Sequence, residues 1–91
     1  MKVFESYLEF HNFLKENSSF GQKEEFSPFM NSVDGINKGC GCSKSGRVDR
    51  AVSEYLTISS KISPATIESI KIHYQVPTLQ FKHNQGLFFE V

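Results

Sequence analysis

Residues 79–82 and 87–91 alternate in polarity, and this alternation restricts the possible folds more than any other feature of the chain. Leu79 and Phe81 alternate with Gln80 and Lys82, and Leu87, Phe89 and Val91 alternate with Phe88 and Glu90. A period of two marks strands with one buried face, and Asn84-Gln85-Gly86 supplies turn chemistry between them. The tail therefore reads as a β-hairpin. A hairpin alone is marginal in water and needs a third strand or a helix to cover it. Lys2-Val3-Phe4 is the candidate third strand. Val76-Pro77 separates the hairpin from everything before it, because a residue preceding proline avoids the α region.

Between these strands the apolar period is helical. Ser6 and Glu9 form a capping-box pattern, followed by Tyr7, Phe10, Phe13 and Leu14, which predicts a helix over 7–16. Residues 18–26 are polar and read as a loop, with Phe20 and Phe26 as anchors. Ser27-Pro28 opens a second helix, with Ser27 as N-cap and Pro28 at the first helical position; Phe29, Val33 and Ile36 share its face and Gly39 stops it. Val48, Ala51, Val52, Tyr55, Leu56 and Ser59 form the clearest amphipathic stripe, a third helix. Ser63-Pro64 repeats the opening signal, and Ile67, Ile70 and Tyr74 mark a fourth helix.

The expected fold is α+β, with four short helices packed on a small antiparallel sheet made from the N-terminal strand and the C-terminal hairpin. A chain of 91 residues has room for a single domain, 1–91. A domain of this size buries only about 60–65% of its unfolded surface, so large rings matter. The nine Phe and three Tyr, with no Trp, point to an aromatic core.

Ten basic residues balance ten acidic ones, which argues against a general nucleic-acid binder. A formal charge near zero favours self-association. No signal peptide is expected, since Met1–Phe10 carries charges where an apolar segment would be needed, and no run of about 18 apolar residues is present, so no membrane contact is expected. Two cysteines one residue apart are not a secreted disulfide framework, so a reducing intracellular site of synthesis is expected.

The segment from Asn37 to Arg47, with Cys40-Gly41-Cys42 at its centre, has four readings. Glycines before a helix, with Lys38, Lys44, Arg47 and Arg50 nearby, suit a phosphate or an acidic partner. The segment is not a P-loop, since Ser43 precedes Lys44 and Lys38 replaces the first glycine. Cys40 and Cys42 could instead hold zinc or iron with His73, His83 or His11, although one intervening residue is short for such a pair. A redox reading notes that Val76-Pro77-Thr78-Leu79 resembles the cis-proline segment of thioredoxin-like proteins. The pair is nevertheless Cys-Gly-Cys, and the expected βαβ context is missing. The remaining reading is structural: small residues allow a sharp turn, free cysteines pack as small apolar groups, and no cofactor is needed.

Three segments together carry a family resemblance. They are Met1-Lys2-Val3-Phe4 with Phe10, Phe13, Leu14 and Lys15; Ile36-Asn37-Lys38-Gly39-Cys40-Gly41-Cys42; and Phe81-Lys82-His83-Asn84 with Phe88-Phe89-Glu90-Val91. The combination resembles small uncharacterised proteins of marine tailed phages of the cyanophage type. The resemblance implies no activity and no site residues. It implies synthesis in a host cytoplasm, and then either a virion head, neck or tail accessory component or a host-takeover factor. The expected function is a non-enzymatic structural or interaction protein with protein partners or a homo-oligomeric state. The alternative is a small metal-binding or thiol-redox module built on Cys40 and Cys42.

Overall fold

The chain enters its first helix where the capping residues predict. A computed structural model describes residues 1–36, 44–84 and 87–91, with the backbone alone at 44, 45, 59, 87 and 88. After strand β1 (Lys2–Phe4), helix α1 spans Tyr7–Glu16. The Ser6 hydroxyl accepts from the Glu9 N–H at 3.4 Å. The return bond differs from the expected box: the Glu5 N–H, not that of Ser6, donates to Glu9 Oε2 at 3.2 Å.

Residues 18–26 are not a loop. They form a short helix α2 (Ser18–Gly21) and a 3₁₀ turn (Glu24–Phe26). Two aromatic anchors drive this coiling, since Phe26 is fully buried and Phe20 packs on the core. Helix α3 (Ser27–Asp34) follows directly. Because the 3₁₀ turn runs into it, Phe26 occupies the cap position and Pro28 lies one place later than expected. The helix ends at Asp34 with Gly35 as its cap, before the expected Gly39, which lies outside the described residues.

Helix α4 (Lys44–Lys61) is the longest element and α5 (Pro64–Tyr74) follows it. The buried stripe of α4 is Ala51, Tyr55 and Ile58, continued by Ile62 just past its end, whereas Val48, Val52 and Leu56 are half-buried. Its inward face is thus rotated slightly from the predicted one. Ser63 caps α5 as predicted, accepting from the Thr66 N–H at 3.4 Å. Gln75 closes the helix in the left-handed region at φ 57°.

The tail is the expected hairpin, β2 (Leu79–His83) and β3 (Leu87–Glu90), in antiparallel register with Phe81 opposite Phe89. The sheet order is β1-β2-β3. The pairing of β1 corrects the all-antiparallel expectation: Lys2 lies opposite Leu79 and Phe4 opposite Phe81 in parallel. Parallel strands need a long crossover, and here every helix among the described residues lies within that crossover. The architecture remains α+β, with a mixed sheet.

The helices cover one face of the sheet with rings. Phe10 of α1 contacts Phe4, Phe13, Phe26, Phe29, Tyr55 and Phe81 at centroid distances between 5.0 and 6.1 Å. Phe4 and Phe81, neighbours across the parallel pair, stack at 5.3 Å. Burying each such ring contributes about 1.5–3 kcal/mol, so this cluster dominates the stability of a small domain. No helix among the described residues is long and apolar enough to cross a membrane.

Candidate functional site

Helices α3 and α4 leave a groove along their shared solvent edge. Pro28, Asn31 and Ser32 on α3 and its cap Gly35 repeat at helical spacing, on the side away from the buried Phe29 and Val33. Arg47, Arg50 and Glu54 repeat likewise on α4, beside the buried stripe. The two polar rows enclose about 310 Å³. The helices meet here because Phe29 and Tyr55 pack beneath them, with ring centroids 6.0 Å apart.

The two arginines sit differently. Arg47 is half-buried, and its Nε–H donates to the Ile36 carbonyl at 2.9 Å. That bond satisfies a carbonyl just beyond α3 and fixes the guanidinium while its terminal N–H groups keep donor capacity. Arg50 is exposed one turn further along, and it makes no hydrogen bond or ion pair with another described residue. Glu54 closes the opposite end of the groove, so the basic end and the acidic end are distinct.

The groove continues into a smaller hollow of about 180 Å³ that shares Pro28 and Glu54 and reaches Glu25 and Lys61. Glu25 is a structural group here. Its carboxylate accepts from the Ser63 N–H at 3.0 Å and from the Thr66 hydroxyl at 2.7 Å. Partial burial pushes its pKa up, but the bonds from Ser63 and Thr66 and the charge of Lys23 outweigh that and hold it below its ordinary value.

A second cavity of about 280 Å³ opens at the carboxyl ends of the parallel pair β1 and β2, lined by Ser6, Tyr7, Val48, Asp49, Val52, His83 and Asn84. The Ser6 hydroxyl is already engaged by the Glu9 N–H, and His83 Nε2 lies 3.2 Å from Asn84 Nδ2.

Of the basic residues singled out in the sequence, Arg47 and Arg50 come together in the α3–α4 groove. Lys44 begins α4, described in its backbone alone, and Lys38 lies outside the described residues. Cys40 and Cys42 also lie outside them. Of the three histidines offered as their partners, His73 and His83 sit apart. His73 is exposed on α5 against Phe13, Phe20 and Tyr74, whereas His83 faces the cavity beside Ser6 and Tyr7, at the other end of α1. His11 is buried and spends its Nε2 on Asp34 Oδ1 at 3.2 Å. The Val76–Pro77 bond is trans, unlike the cis-proline of thioredoxin-like proteins.

Sequence reasoning missed the α3 wall of the groove. Glu54, four residues after Arg50, was a legible signal on α4. Asn31, Ser32 and Gly35 carried none, because their role depends on which helix lies opposite. No family model matches this sequence, and no curated protein or solved structure is significantly similar to it.

Proposed function

We propose that this chain is a non-enzymatic interaction protein of a tailed phage, and that it receives an acidic segment of a protein partner in the groove between α3 and α4. The observation that supports this reading is the arrangement of Arg47 and Arg50. One guanidinium is held in place by the Ile36 carbonyl, and the other stands one turn away with no ionic partner among the described residues. A guanidinium offers a planar fork of donors to a carboxylate, and a pre-placed one loses less freedom on binding. Glu54 repels the same segment at the far end and so gives it a direction. The phage setting rests on the sequence resemblance, and a virion accessory role follows from that setting.

The test joins two measurements. Mass spectrometry of purified particles is expected to find the chain at fixed stoichiometry. The particle protein that cross-links to it is expected to bind more weakly as salt rises, and about ten-fold more weakly to the Arg50→Glu variant. Absence from clean particles would overturn the virion role and favour a host-takeover factor. Binding indifferent to both salt and Arg50→Glu would remove the groove as the contact.

A further inference from the structure

We infer that two copies of this chain pair through the outer edge of β3, joining their sheets into one. The inference does not use the α3–α4 groove and stands apart from it.

The hydrogen-bond pattern of the hairpin sets the geometry. Leu79 and Val91 exchange both backbone bonds at 3.0 Å. With Phe81 opposite Phe89 and His83 opposite Leu87, residues 87, 89 and 91 turn their N–H and C=O groups toward β2. Phe88 and Glu90, alternating with them, turn theirs away from the sheet. Among the described residues no backbone group bonds to this outer edge.

That edge is complementary to itself. A two-fold axis through Phe89 places Phe88 of one copy opposite Glu90 of the other, in antiparallel register. Every outward N–H then meets an outward C=O, and Phe89 faces its own counterpart as a closely spaced pair, with Cα atoms about 4.5 Å apart. Phe89 lies opposite the buried Phe81 and so projects to the helix side of the sheet. Phe89 and Val91 are only half-buried in one copy, and the second copy covers them.

Other observations favour a second copy as the occupant. Edge strands that avoid pairing carry proline, lysine or a bulge. β3 contains neither residue, and its register with β2 is unbroken. Its one charged side chain, Glu90, is held by Gln80 Nε2 at 2.6 Å on the open face of the sheet. A formal charge of zero removes long-range repulsion between copies. The opposite edge offers much less. In β1, Lys2 donates to the Thr78 carbonyl at 3.1 Å, so Val3 alone of its three residues faces outward. The pairing therefore closes as a dimer instead of growing into a filament.

The test is sedimentation equilibrium of the full chain over a wide concentration range. The wild type is expected to show a monomer–dimer equilibrium. Glu90→Pro removes an N–H that points away from β2, so no backbone bond within the hairpin is lost, only the side-chain bond from Gln80, and the dimer should weaken about ten-fold or more. Glu90→Gln keeps the backbone and is expected to dimerise like the wild type. Amide hydrogen exchange of the wild type provides a readout that needs no variant. Residues 88 and 90 should become protected only as concentration rises, whereas 89 and 91 stay protected throughout. A monomer at every concentration, a Glu90→Pro chain that pairs as tightly as the wild type, or protection at 88 and 90 that ignores concentration would each overturn the inference.

Discussion

The Tyr55 hydroxyl donates to the Lys82 carbonyl at 2.9 Å, which fastens the longest helix to the central strand. The ring is fully buried among Phe10, Phe29 and Phe81. Tyr55→Phe keeps the packing and removes the bond, so it should cost about 1 kcal/mol in denaturant unfolding. A Tyr55→Ala chain loses the ring as well and should cost several times more, about 3–5 kcal/mol.

The same tyrosine carries a pH signature. Burial first, then the charges of Glu9 and Glu5, push its hydroxyl well above the ordinary value of 10. A raised folded value means that the native state holds the proton more tightly than the unfolded chain. The stability tied to this proton is complete below pH 10 and is lost as pH rises above it. Unfolding midpoints measured from neutral to strongly alkaline pH should therefore fall, and more gently in Tyr55→Phe.

Glu25 sets the opposite trend in acid. Its folded pKa lies below the ordinary 4.5, so its contribution is complete above that value and is lost as pH falls through the lower one. It is largely exposed, so the loss in Glu25→Gln should be about 1 kcal/mol at neutral pH and should vanish in strong acid. Chemical denaturation of both chains at neutral and acid pH checks this. An equal deficit at both would show that the carboxylate charge contributes nothing.

Gly21 is the point where α2 turns back onto α1. A side-chain carbon placed there would meet the Leu14 carbonyl oxygen at 2.3 Å, a contact with backbone that cannot rotate away. Gly21→Ala should therefore destabilise by about 1–3 kcal/mol, whereas Gly46→Ala, where no described residue lies within 4 Å, should be neutral or slightly stabilising. Thermal unfolding of the two variants side by side separates close approach from general helix propensity.

Much of the fold was legible because its signals act over a few residues. Ser6 capping α1, Ser63-Pro64 opening α5 and the alternation of Leu79 and Phe81 each depend on neighbours within a turn or a strand, and each stands where the spacing predicts. Arg47 and Arg50 were legible as a basic cluster for the same reason, since residues three apart share a helix face. Tertiary structure alone decided the rest. It chose the parallel pairing of β1, set the inward face of α4 at Ala51, Tyr55 and Ile58, and coiled 18–26 around Phe20 and Phe26. It also gave Ser63 and Thr66 a partner in Glu25, 38 and 41 residues away, and turned Arg47 toward Ile36. Local patterns report what one residue asks of the backbone beside it. Packing and polar satisfaction are settled between distant segments, and which segments meet is a property of the whole chain.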